Sequence, residues 1–177
     1  MRHKTILILL ILFSSVFAPG CVDNETETED VPDVKMPIDT ASIDDLIPTK
    51  DLPIGITYLG THEVIIENAT ESIEAVYKNS NKDDFYVRVA KTDSKDTAKK
   101  LIEDYKSQYS GYRYNPFEEV MLSNHSATQI KDYTIQQGKN EFTYLYIWNN
   151  ENYVFIVSSN ILNDNSLTFE IAQAVGY

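Results

Sequence analysis

The segment Phe142–Val157 constrains this chain more than any other. Phe142, Tyr144, Tyr146 and Trp148 fall on one side of a strand, and Thr143, Leu145 and Ile147 on the other. After the polar stretch Asn149-Asn150-Glu151-Asn152, Tyr153, Phe155 and Val157 alternate with Val154 and Ile156. A hairpin that sets Trp148 opposite Tyr153 across a four-residue loop sets Ile147 opposite Val154 and Tyr146 opposite Phe155. It then has one aromatic and one aliphatic face, and a slip of one residue would mix them. With both faces apolar, this pair must be central in a sheet and covered on both sides. The chain is therefore expected to fold around an antiparallel sheet.

The flanking sequence supplies the other elements. Val64-Ile65-Ile66 predicts a short strand, and alternation predicts others over 73–77 and 85–89. A helix is expected over 94–109. Asp93 is its N-cap, with Asp96 three residues on, and Ala98, Leu101, Ile102, Tyr105 and Tyr109 form one face. Ser110-Gly111 ends it, and 111–116 is irregular. Shorter strands are expected over 119–122 and 128–136, with a turn at Gly138-Lys139-Asn140. A last helix is expected over 166–175, with Leu167, Ile171, Ala172 and Val175 on one side. Runs of antiparallel strands with segregated helices indicate an α+β fold. The expectation is a sheet of five or six strands with both helices packed on one face, the aliphatic one, in a single globular domain at 52–177.

The N-terminal third differs in kind. Arg2, His3 and Lys4 precede an apolar run from Ile6 to Phe17, then Ala18-Pro19-Gly20-Cys21. A basic start, a short apolar stretch and small residues mark an export signal over 1–20 rather than a permanent span. Cys21 is the sole cysteine, so no intramolecular disulfide can form, and it is a free thiol, an intermolecular bridge or a modified residue. Its place directly after Gly20 favours modification.

Residues 23–51 hold ten acids and only Lys35 and Lys50, with no aromatic residue. Such a stretch cannot bury enough surface to offset the entropy of ordering it. Residues 21–51 are expected to be a disordered acidic linker reaching on the order of 30 Å. The acids lack the spacing of a calcium loop. Removing residues 1–20 takes away Arg2 and Lys4 but no acid, so the formal charge of −12 becomes −14. That balance argues against nucleic acid as a partner, because phosphates need a basic stripe.

The segment ending at Gly20-Cys21 resembles the lipobox of prokaryotic lipoproteins. It departs from that pattern at Ala18, where a larger aliphatic is usual, and at Pro19, where Ala or Ser is usual. The resemblance implies a lipid on Cys21, an extracytoplasmic location and the membrane as a partner through that lipid. The order of elements in 60–175, with Trp148, Tyr153 and Phe155 followed by a short terminal helix, loosely resembles PsbP-like sandwiches. It is similar also to a family of uncharacterised bacterial and archaeal lipoprotein domains. Both resemblances imply a fold and not an activity.

Signatures of catalysis are sparse. His62 and His125 lie apart, without metal-ligand spacing, and read as surface or turn residues. No G-x-S-x-G, S-x-x-K or glycine-rich phosphate loop occurs. Glu118 and Glu119 would point to opposite faces of a strand. No catalytic residue, metal ligand or cofactor is assigned.

The chain holds twelve tyrosines. Aromatic groups with polar tips suit both cores and binding faces. The expected ligand or partner face comprises Tyr112, Tyr114, Tyr144, Tyr146 and Trp148, facing an unknown envelope protein or small ligand. Three sequons, at Asn24, Asn68 and Asn124, are candidate N-glycosylation sites in an exported chain. The leading reading is a non-enzymatic binding module of the envelope. An envelope enzyme with an unrecognised, hydrolase-like site and a purely structural component are the alternatives.

Overall fold

The computed structural model describes residues 35–37 and 42–177. The signal segment, Cys21 and Asn24 lie outside the described residues.

A one-turn 3-10 helix, Ile43–Leu46, comes first. Seven strands and two α-helices follow: β1 (Thr57–Glu63), β2 (Glu71–Lys78), β3 (Asp84–Lys91), α1 (Lys95–Ser107), β4 (Phe117–Leu122), β5 (His125–Gln136), β6 (Lys139–Asn150), β7 (Tyr153–Ser159) and α2 (Ser166–Val175). The strands form one antiparallel sheet in the order β1-β2-β3-β7-β6-β5-β4. Two meanders, β1–β3 and β4–β7, thus meet where β3 pairs with β7, and α1 carries the chain to the far edge between them. The fold is α+β, but with seven strands where five or six were expected.

The extra strand is β1. Its sequence, Thr-Tyr-Leu-Gly-Thr-His-Glu, has no apolar alternation, because it is an edge strand carrying a bulge at Tyr58/Gly60. The strand expected at Val64-Ile65-Ile66 is instead the loop leaving β1, and Ile65 is fully exposed there.

The central hairpin has the expected faces but a different register. Trp148 lies opposite Phe155, Ile147 opposite Ile156, and Asn150 opposite Tyr153. The connection is the two-residue turn Glu151-Asn152, with Glu151 at φ 51°, where four residues were expected. Asn152 holds that turn by exchanging hydrogen bonds with Thr92. The Thr92 N–H donates to the Asn152 carbonyl at 2.8 Å, and the Asn152 amide returns one to the Thr92 carbonyl at 3.0 Å.

The helices do not share a face. Ala98 and Leu101 of α1 pack with Ala90, Leu145, Ile147, Val154 and Ile156 on the aliphatic side. Ile171, Ala172 and Val175 of α2 pack with Tyr146, Trp148, Tyr153, Phe155 and Val157 on the aromatic side. With α1 filling one face, the rings on the other would stay in water unless α2 covered them, and their burial drives α2 there. Tyr177, just beyond α2, stacks on Phe155, and its carbonyl accepts from the Trp148 indole at 2.8 Å. Capping differs in detail too. Ser94, not Asp93, caps α1 by accepting from the Thr97 N–H at 3.1 Å.

The folded body begins before residue 52. Ile43, Leu46 and Ile47 are buried against the α2 face of the sheet. Ser42 and Asp45 form a reciprocal cap on the 3-10 turn, and the buried Tyr77 hydroxyl donates to the Pro48 carbonyl at 2.9 Å. The expected linker is therefore too long at its C-terminal end. Three aliphatic residues in an otherwise acidic stretch are enough to anchor one turn when a ready-made sheet face awaits them.

Candidate functional site

The site grows out of a mismatch in strand lengths. β5 spans twelve residues and β4 only six. Pairing with β4 runs from Leu122 opposite His125 to Phe117 opposite Ile130. The Lys131 N–H then donates to the Pro116 carbonyl at 2.8 Å, and there the ladder stops, because proline has no N–H to return. On the other side, β7 covers β6 only over 145–150. Residues 131–144 are left as a two-stranded ribbon closed by Gln137-Gly138, whose φ angles are 51° and 77°.

The loop between α1 and β4 folds against the outer edge of this ribbon. Two tyrosine hydroxyls pin it. Tyr112 donates to the Asp132 carboxylate, and Tyr114 donates to the Lys131 carbonyl at 3.0 Å. A run of rings links the core to the surface. Tyr109 meets Tyr112 edge-on at 5.3 Å between centroids, Tyr112 meets Tyr133 at 5.6 Å, and Tyr114 meets Tyr133 at 6.3 Å. On the sheet, Tyr133 pairs with Phe142 and Ile135 with Asn140. The result is an open cleft of about 580 Å³ lined chiefly by Tyr112, Arg113, Tyr114, Tyr133, Ile135 and Phe142. Tyr114, Tyr133 and Ile135 are 38%, 43% and 64% exposed, a concentration of apolar surface at one spot.

Its electrostatics are unusual for so acidic a chain. Lys131 lies 4.0 Å above the Phe142 ring. Arg113 is exposed, and among the described residues neither cation has a carboxylate partner. The Asp132 carboxylate, next to Lys131 in the chain, is engaged by Tyr112. That hydrogen bond, followed by burial, pushes the Tyr112 phenol up to about 12. Burial, followed by the charge of Asp132, raises Tyr114. Both phenols stay protonated at neutral pH, with their donors already used, so the cleft offers ring faces and cationic side chains.

Of the five aromatic residues expected to form one binding face, the structure brings Tyr112 and Tyr114 into this cleft. Tyr146 and Trp148, 0% and 2% exposed, belong instead to the core under α2. The Tyr146 hydroxyl accepts from the Gln129 amide at 2.8 Å. Tyr144 is half-buried on the ribbon face, its ring centroid 6.0 Å from the Lys131 ammonium, and does not line the cleft. The five do not converge, because the outward bend of the 110–116 loop places Tyr112 and Tyr114 beside the ribbon and beyond the reach of α2. The partners that sequence reasoning missed are Arg113, Lys131, Tyr133, Ile135 and Phe142. The available signal was the alternation Lys131-Tyr133-Ile135 continuing past the end of a much shorter neighbouring strand.

Asn68 and Asn124 both sit exposed in turns, at φ 66° and 68°. His62 is a surface residue as expected, its Nε2 3.4 Å from Glu74. His125 is not. It is buried at the β4–β5 turn, its Nε2 has no hydrogen-bond partner, and desolvation lowers its pKa. Among the described residues, no three His, Cys, Asp or Glu side chains cluster as a metal site, and no helix is long and apolar enough to cross a membrane. Comparison with protein-family models and with curated proteins gives no match in either case.

Proposed function

We propose that the chain is a lipid-anchored binding module of the cell envelope and that the aromatic cleft is where it binds. The observation that carries the binding half is the gathering of Tyr114, Tyr133 and Ile135, all exposed, around one opening. Exposed rings lower the free energy of binding by being buried. Two hydroxyls anchored on β5 hold the Tyr112 and Tyr114 rings before any ligand arrives, so little side-chain entropy is lost on binding. The envelope half rests on the sequence: the basic-apolar start, Gly20-Cys21, and the acidic stretch that separates Cys21 from the folded body. A lipid at Cys21, with a second acyl chain or its equivalent, would hold the protein at a membrane without a spanning helix.

Two measurements test this reading. In the native host, Cys21→Ser should abolish incorporation of a labelled lipid precursor and release the protein from the membrane fraction. Unlabelled wild-type protein recovered from cytosol would refute the anchor. A panel of saccharides, peptides and small aromatics, titrated while backbone amide resonances are followed, should move signals from 112–114 and 131–142. A panel that moves none of them, or moves only a distant region, would refute the cleft.

A further inference from the structure

We infer that the ligand of the cleft is an acidic saccharide, a short chain of sugar rings carrying carboxylates. This rests on the cleft being the binding site, and it names what the cleft selects. The first argument is shape. The part-exposed rings of Tyr114 and Tyr133, set edge-on with their planes 66° apart, form two walls of an open cleft and not a deep hole. One such exposed ring face suits the flat C–H face of a pyranose, which gains dispersion and buries apolar area without needing an enclosing pocket, while the second ring meets the sugar's edge.

The second argument is charge. Arg113 and Lys131 line the same cleft and, among the described residues, pair with no carboxylate, in a chain whose formal charge is −12. Arg113 presents a fork matched to one carboxylate, and Lys131 a point charge for a second. The surrounding acidity would repel an anion that could not reach both.

The third argument concerns the rival. An extended acidic peptide could add to the free edge of β5 as a new strand. The Lys131 N–H and carbonyl both face outward, and both are taken, by the Pro116 carbonyl and the Tyr114 hydroxyl. By the alternation of antiparallel pairing, Tyr133 and Ile135 are the only later β5 residues whose backbone groups face the same way. Two residues at a ribbon tip make a short docking edge, and the Tyr114 ring stands at its inner end. Stacking therefore outweighs strand addition here.

The test uses the full-length chain in detergent micelles and three probes. These are trigalacturonate, its methyl-esterified neutral form, and a peptide of alternating Glu and Thr. Trigalacturonate should bind, with shifts confined to the cleft. Esterification should weaken it at least about tenfold, the loss of one charge-assisted contact. Arg113→Ala should weaken it to a similar degree, and Arg113→Lys by less. Arg113 is exposed and, among the described residues, its side chain makes no hydrogen bond or ion pair, so its variants keep the fold. Tyr133→Ser should remove binding while leaving the melting curve within a few degrees of wild type. Equal binding of the ester, or tighter binding of the peptide, would overturn the inference. Peptide binding lost in Tyr133→Ser would overturn the saccharide while leaving the cleft as the site. If no probe moves cleft resonances, the inference fails, and the wider panel above decides the cleft itself.

Discussion

Leu46 is the sharpest point at which to test where folding begins. It is 2% exposed and lies with Ile43 against the α2 face of the sheet, inside a stretch whose composition reads as linker. Leu46→Ala removes three carbons from that contact. At about 0.8 kcal/mol for each buried methylene, the transfer loss alone is about 2.4 kcal/mol. If the one-turn helix settles into the gap, little is added. If Ile43 and the Tyr77–Pro48 hydrogen bond hold it in place, a cavity of roughly 60–80 Å³ adds about 1.5–2 kcal/mol more. The expected destabilisation is therefore about 2.4–4.4 kcal/mol. For a body of this size, that lowers the melting temperature by about 10 °C. Thermal melts followed by far-ultraviolet circular dichroism measure it directly, with Leu59→Ala as control, since Leu59 is 56% exposed on edge strand β1 and should cost under about 0.5 kcal/mol. A loss in Leu46→Ala under about 1 kcal/mol, indistinguishable from the control, would refute the claim that residues 43–47 belong to the core. The body would then begin near residue 52, as composition suggests.

Tyr77→Phe removes the donor to the Pro48 carbonyl and should cost about 1 kcal/mol in urea unfolding; no change would mean the carbonyl finds another donor. Glu74, 8% exposed as a residue, has its carboxylate held by Arg88 Nε at 2.5 Å. Arg88→Ala should cost on the order of 2–3 kcal/mol, and adding Glu74→Leu should recover most of it; two fully additive losses would show that the pair is not coupled. His125 binds its proton less readily folded than unfolded, so its contribution is present above the ordinary histidine pKa of about 6.5 and is lost as pH falls toward the lowered folded value. Stability measured from pH 8 to 5 should decline below about 6.5 in the wild type and decline less in His125→Leu; parallel curves would assign the decline to carboxylates. Asp164 accepts from the Ser166 N–H at 2.9 Å ahead of α2, and that bonding lowers its pKa. Asp164→Ala should therefore destabilise the protein at neutral pH and matter less once the pH falls below the ordinary carboxylate range, as a urea series at two pH values would show; equal losses at both would remove its charge from the explanation.

The central hairpin was legible because alternation is a local property, carried by each strand's own residues. Its register was not. The expected and observed pairings differ by a shift that keeps every side chain on the same face, so the pattern cannot tell them apart. The turn decides, and Asn152 prefers the tight form because Thr92, sixty residues away in sequence, bonds to it. β1 was missed because an edge strand with one neighbour is largely exposed and carries little apolar alternation. The cleft was legible in Tyr112 and Tyr114, as aromatic residues in an irregular loop, while Trp148 lies in the core, because a ring in a core and a ring in a cleft look alike in sequence.

Local periodicity in the sequence is thus enough to specify antiparallel strands with opposite aromatic and aliphatic faces, two amphipathic helices, an acidic N-terminal stretch and the Gly20-Cys21 junction. Only the tertiary structure decides that α1 and α2 cover opposite faces, that Ile43 and Leu46 join the core, and that β5 outruns β4 to leave a ribbon with tyrosines along its edge. The physical reason is range. A residue's side of its own strand follows from its position along the chain, but what lies against that side depends on pairings such as Arg88 with Ile156, which form between segments that share no local pattern.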